Sequence, residues 1–242
     1  MAKNYAVIDT ETAPTVKHKD NNAHPETSLV YDFGYVICDG DTGVHLVKRS
    51  FVIAETFNNE QYMTSAYYAD KLPQYHEGIG FDDNAQWRMV SFIEAWQQFK
   101  HDCIEYGVRD VWAWNIRFDE IALNNTIKTY SNGYVKWFKP YKMRYRDAWD
   151  YVVSKCATTK KYVKWCIAHN RVSAKGNPST GAETVYQYLM QDDGFIESHT
   201  ALDDAIIEAK MLHIAKSKHC KARMSKGQGW RDVAKLAKQM NR

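Results

Sequence analysis

Tyr5-Ala6-Val7-Ile8-Asp9-Thr10-Glu11-Thr12 is the stretch on which the reading of this chain turns. Tyr5 to Ile8 is a short apolar run with aromatic and β-branched side chains, the composition of a buried strand. Two acids, one residue apart, follow it. Side chains alternate faces along a strand, so Asp9 and Glu11 point the same way where the extended geometry continues. Two carboxylates converging at the end of a buried strand repel each other unless a cation lies between them. Hard cations such as Mg²⁺ prefer oxygen ligands of this kind. An Asp-x-Glu pair also arises by chance, so its meaning depends on what the rest of the chain brings to it.

With 242 residues the chain is long enough for one large domain or two small ones. No Pro/Gly/Ser-rich linker or low-complexity tract divides it, so residues 1–242 are expected to form a single domain. There is no charged-then-apolar leader and no long apolar run, hence no expected membrane span or secretion signal. Cys38, Cys103, Cys156, Cys166 and Cys220 are odd in number, scattered, and form no Cys-x-x-Cys pair. They read as reduced thiols of a cytoplasmic protein, with no zinc knuckle. The net charge of +3 is unevenly spread. Lys128 to Lys175 holds twelve Lys/Arg against Asp147 and Asp150, and Lys216 to Arg242 holds nine against Asp232. Such asymmetry suits either a basic surface offered to a polyanion or a solvated face with no partner.

Working outward, Ala13 to Glu26 reads as a polar loop holding Pro14 and Pro25. Leu29–Cys38 and Val44–Ile53, around the turn Asp39-Gly40-Asp41-Thr42-Gly43, read as a hairpin. Glu55–Gly80 is rich in aromatics, with a short helix expected from about Gln61 to Lys71. Trp87, Val90, Ile93, Trp96, Phe99 and Cys103 recur at three- and four-residue steps, which predicts a helix over Asp83–Tyr106 capped by Asp82 or Asp83. Val111–Trp114 is a fourth short strand and Arg117–Thr129 a helix, with a fifth strand at Val135–Phe138. Short helices follow at Asp147–Ser154, Tyr162–His169 and Thr184–Met190. Longer ones follow at Asp203–Ser217 and Trp230–Met240. Strands alternating with helices predict an α/β domain.

Two further segments carry chemistry. In Trp114-Asn115-Ile116-Arg117-Phe118-Asp119, Asp119 opens a helix directly after a strand. The macrodipole favours an acid there for structural reasons alone, but a strand end is also where an α/β sheet places ligand-binding residues. In Glu197-Ser198-His199-Thr200-Ala201-Leu202-Asp203-Asp204-Ala205, His199 precedes a helix and Asp204 lies in its first turn, with Ser198, Thr200 or Asp203 as caps. An imidazole titrates near pH 6.5 and accepts protons at neutral pH.

Asp9-x-Glu11, Asn115-x-x-x-Asp119 and His199-x-x-x-x-Asp204, in this order and approximate spacing, resemble the three motifs of the DEDDh family of 3′–5′ exonucleases. The resemblance extends over roughly residues 3 to 216. It implies an RNase H-like fold, a central mixed five-stranded sheet flanked by helices. It implies that Asp9, Glu11, Asp119 and Asp204 hold two divalent ions, Mg²⁺ or Mn²⁺, with His199 as general base. Backbone near Thr10 and Thr12 would then lie beside the terminal nucleotide. Asn115 serves either as a polar contact to substrate or as a strand cap. The implied reaction is release of nucleoside 5′-monophosphates from single-stranded nucleic acid, with DNA preferred. The alternatives are RNA 3′ ends as substrate, and a proofreading subunit partnered with a polymerase or replication protein.

Two stretches depart from small members of that family. In the aromatic-rich insertion at about 55–80, Tyr67, Tyr68 and Tyr75 either stack on unpaired bases or fill a satellite core. The basic extension at about 216–242 either tracks phosphates or is a docked helix with a solvated charged side.

Overall fold

The structure, a computed structural model, describes residues 3–16, 24–80, 85–217 and 229–240. Seven strands form one mixed sheet in the order β4-β5-β3-β2-β1-β6-β7. They are β1 (Tyr5–Pro14), β2 (Ser28–Cys38), β3 (His45–Ile53), β4 (Ile79–Gly80), β5 (Trp87–Val90), β6 (Asp110–Ala113) and β7 (Arg144–Asp147). β1, β2 and β3 run antiparallel in sequence, β6 pairs parallel with β1, and β5 pairs parallel with β3 and β4. The mixed α/β architecture agrees with the sequence reading, but the strand count is seven instead of five.

The described residues fall into two compact units, Met1–Arg146 with Ser198–Ile206, and Asp147–Glu197 with Ile207–Arg242. In the first, β2 is buried along all eleven residues, because both its faces are covered. Ala6 and Ile8 on one face of β1 and Phe33, Tyr35 and Ile37 on β2 pack with α4 (Phe92–Glu105) and α5 (Ile116–Tyr130). Phe33, Tyr35, Phe99 and Phe138 meet edge-on or stacked at centroid separations between 5.0 and 5.6 Å. The residues between β3 and β5 form a second core of Phe57, Met63, Ala66 and Tyr75 against Tyr31, Val52 and Trp87 of β5. Their helices are α1 (Ala54–Phe57), α2 (Glu60–Met63), a 3-10 turn at Ala69–Lys71, and α3 (Leu72–Gly78).

Three expectations need correction. The helix expected over Asp83–Tyr106 is strand β5 followed by α4. Trp87 and Val90 are buried three residues apart in a short strand flanked by β4 and β3, a spacing that mimics a helical step. The cap is Ser91, whose Oγ accepts from Glu94 N at 3.2 Å; Asp82 and Asp83 lie outside the described residues. Val135–Phe138 is not a strand. Ser131 Oγ accepts from Val135 N, and Asn124 Oδ1 accepts from Phe138 N, which anchors a turn-rich segment that buries Phe138 and half-buries Val135. The helix expected at Gln61–Lys71 is split into α2 and the 3-10 turn.

The second unit is helical: α6 (Ala148–Val152) continuing into a wide turn to Ala157, α7 (Lys160–Ala168), α8 (Ala182–Met190), most of α9 (Ala201–Ser217), and α10 (Gly229–Met240). α10 buries Val233 and Ala237, and its Gly229 N–H donates to Asp150 Oδ1 at 2.7 Å. Arg231, Lys235 and Lys238 face solvent. The intervening residues of the basic extension, and Cys220, lie outside the described residues. Among the described residues no helix is long and apolar enough to cross a membrane.

Candidate active site

Register builds the site. β1 does not end at Ile8; it runs on to Pro14, so Asp9 and Glu11 sit inside a strand and share a face. Opposite them on β2, Asp9 faces Gly34 and Glu11 faces Asp32. Directly opposed residues of an antiparallel pair project to the same side. That side carries three acids, Asp9, Glu11 and Asp32, with a gap at Gly34. The first turn of α9 fills the gap: a Cβ on Gly34 would lie 2.1 Å from Leu202 N and 2.2 Å from the Ala201 carbonyl carbon. This close approach of backbone to backbone brings Asp204 beside the pair. One carboxylate oxygen each from Asp9, Glu11 and Asp204 lie within 4.8 Å of one another.

Asp119 enters from α5. β6 pairs with β1 only from Tyr5 to Val7, so β1 beyond Val7 is not paired on that edge. Thr10 Oγ1, on the opposite face of β1, donates to Asp119 Oδ1 at 2.8 Å, and both residues are buried. Asn115, at the N-terminus of α5, is exposed and left-handed with φ 62°, and its side chain makes no capping bond. Thr12 is half-buried and lies past the bulge between Glu11 and Thr12.

His199 has φ 53° and is half-buried, with Nδ1 4.0 Å from Asp204 Oδ2. Thr200 precedes α9 and accepts the Asp204 N–H at its carbonyl, while its hydroxyl donates to Asp203 Oδ2 at 2.9 Å. Of the expected stacking tyrosines, Tyr75 is fully buried in the second core and Tyr67 is 84% exposed. Tyr68 stacks on His199.

Sequence reasoning missed Asp32. It is wholly buried; its Oδ2 accepts from Tyr75 OH at 2.6 Å and from Ala201 N at 3.0 Å, and no hydrogen bond reaches Oδ1 among the described residues. The signal was present, an acid in the middle of the apolar run Leu29-Val30-Tyr31-Asp32-Phe33. Burial raises its pKa to about 6, against the hydrogen bonds from Tyr75 and Ala201. Glu11 is raised further, first by burial and then by the charges of Asp32 and Asp204, with Lys71 opposing and Asp119 adding. A proton relieves this crowding, and so does a divalent cation. The donor set is hard oxygen throughout, which fits Mg²⁺ or Mn²⁺ and not a soft metal.

No protein-family model matches the chain, and no curated protein matches its sequence. Solved structures do match its fold. E. coli exonuclease I in complex with a dA16 oligonucleotide is 16% identical with a TM-score of 0.57, over 90% of this chain and 41% of that one. The zinc-ion-bound form of the E. coli exonuclease I–single-stranded DNA complex is 16% identical, with a TM-score of 0.56 over 90% and 41%. A product-bound exonuclease I is 14% identical, with a TM-score of 0.56 over 90% and 44%. The likeness is one of fold: the mixed α/β sheet flanked by helices is shared with these exonuclease I structures. The chain spans less than half the length of the exonuclease I chains it matches.

Proposed function

We propose that this protein is a divalent-metal-dependent 3′–5′ exonuclease acting on single-stranded nucleic acid, DNA in preference to RNA. The observation that carries the reading is the convergence of Asp9, Glu11 and Asp204 from β1 and α9, with Asp119 reached through Thr10. Four acids from three distant segments gathered around one strand are costly to fold without a cation to hold. The likeness in fold to exonuclease I supports the same reading.

In this mechanism Asp9, Glu11 and Asp204, with Asp119 beside them, would hold two divalent ions. When bound, such ions acidify the attacking water and relieve charge on the leaving 3′-oxygen. His199 reaches solvent beside Asp204, where it would accept a proton from an attacking water. The backbone of Thr10 to Thr12 and the exposed Asn115 flank the terminal nucleotide. The rest of the strand has a surface suited to it on residues 131–146. Tyr134, Trp137 and Tyr141 are 91%, 69% and 89% exposed, interleaved with Lys136, Lys139 and Lys142. No acid lies between Glu120 and Asp147. Aromatic platforms alternating with cations suit unpaired bases and their phosphates.

Degradation of 3′- and 5′-end-labelled oligonucleotides, DNA and RNA in parallel, with and without chelator, tests this. The expected result is immediate loss of the 3′ label as mononucleotide, faster on DNA and abolished by chelator. Preference for RNA would move the substrate to RNA ends. Cleavage that persists in chelator would refute the mechanism.

A further inference from the structure

Tyr68, Lys71 and Tyr75 recur at steps of three and four along the segment that leads into α3. Tyr68 and Lys71 reach the short stretch that carries His199 directly, and Tyr75 reaches it through Asp32. The Tyr68 ring lies flat on the His199 imidazole, with centroids 4.5 Å apart and planes 14° from parallel. Lys71 Nζ donates to the carbonyl of Ser198, the residue before His199, and lies 5.3 Å from the centre of the Tyr68 ring. The Tyr75 hydroxyl donates to the Asp32 oxygen that also accepts the N–H of Ala201, two residues after His199. The backbone is therefore gripped on both sides of His199 and its ring is covered on one face. Between the two grips His199 adopts the left-handed conformation, which a non-glycine residue keeps only where its surroundings hold it.

We propose that Tyr68 is the positioning residue of the general base, and that residues 54–80 form the seat in which His199 is held. This rests on the reading of His199 as general base given above. Rotation of an imidazole about its Cβ–Cγ bond is otherwise broad and nearly two-fold. A flat aromatic neighbour narrows it to one plane, which fixes the directions in which the ring nitrogens point. Tyr67 abuts Tyr68 edge-on at 4.8 Å and braces the stacked ring. With one face on His199, Tyr68 is committed to the protein instead of to a nucleobase.

The test is a double-mutant cycle on oligonucleotide cleavage. Tyr68→Ala is expected to lower kcat roughly ten- to a hundredfold, the cost of a misplaced catalytic group. KM and Mn²⁺ affinity should stay at wild-type values, because Tyr68 is not among the carboxylate ligands. Tyr68→Phe keeps the ring and should keep most of the rate. In a His199→Ala background Tyr68→Ala should cost nothing more, since it acts only through the imidazole. Costs that add in the cycle, or a Tyr68→Phe variant as slow as Tyr68→Ala, would overturn the proposal. If Tyr68→Ala melts below the assay temperature, Tyr68→Leu, which keeps bulk without the flat ring, carries the same comparison. A fully active His199→Ala single variant would overturn the general-base reading itself, and that result does not involve Tyr68.

Discussion

Gly34→Ala gives the sharpest test of how the acids are brought together. Gly34 stands opposite Asp9, and the backbone of Ala201 and Leu202 lies where its side chain would be. A methyl group there would be 2.1 Å from Leu202 N, 2.2 Å from Ala201 C and 2.4 Å from Leu202 Cα. Non-bonded carbon contacts settle near 3.5–4.0 Å, so the start of α9 must retreat by roughly 1 Å or more. All three atoms are backbone and cannot swing aside. Asp204 is two residues further on and moves with them, away from Asp9 and Glu11. Overpacking of this kind costs about 1–3 kcal/mol. At about 2–4 °C per kcal/mol for a chain of this size, Tm should fall by roughly 2–12 °C. Misplacement by about 1 Å should slow cleavage on the order of 10²-fold. The assay is release of a 3′-terminal label at saturating Mn²⁺, with calorimetric Mn²⁺ titration and a thermal melt on the same sample. Gly181→Ala is the reference, because its Cβ would meet nothing nearer than 3.8 Å. A Gly34→Ala protein with wild-type rate, Mn²⁺ affinity and Tm would refute the close-approach argument.

Asp32→Asn should stabilise the metal-free protein at pH 8. Asp32 is raised from 3.8 to about 6, so the stability tied to its proton is complete below the unfolded pKa and lost as pH rises through about 6. Two units correspond to about 3 kcal/mol, and urea melts in chelator at pH 5 and pH 8 should show the variant escaping that loss. Glu11 shifts in the same direction, from 4.5 to about 9. Wild-type protein in chelator should therefore melt higher at pH 5 than at pH 8, and saturating Mg²⁺ should reverse the order; an unchanged order would argue against cation binding at Glu11. His199→Ala should slow cleavage by about 10²–10⁴-fold at unchanged Tm, and a wild-type rate would remove it from the mechanism. Trp137→Ala should weaken binding of single-stranded oligonucleotides by roughly tenfold, within the ~1–3 kcal/mol of a base stack. Fluorescence anisotropy measures it, and unchanged binding would exclude that surface.

The hairpin was legible because two strand-forming apolar runs flank the turn Asp39–Gly43, and α5 because its apolar residues recur at helical steps. β5 was not, because Trp87 and Val90, buried three residues apart on opposite faces of a short strand, mimic a helical step. The motif acids could be picked from sequence, but not the device that assembles them. Gly34 is an unremarkable glycine in a strand until α9 is seen lying on it. Asp32 was hidden inside an apolar run whose buried polar partners, Tyr75 and Ala201, are 43 and 169 residues away. The insertion read as aromatic without a role for each ring. Only tertiary packing separates buried Tyr75, solvent-facing Tyr67, and Tyr68 on His199.

The decisive measurement is calorimetric titration of Mn²⁺ into chelator-stripped protein at pH 8, wild type beside Asp204→Asn. Saturable binding to the wild type, with proton release into the buffer as Glu11 ionises, and its loss in the variant, is the expected outcome. Equal binding by both proteins, or none by the wild type, would contradict the claim that β1 and α9 meet around a cation.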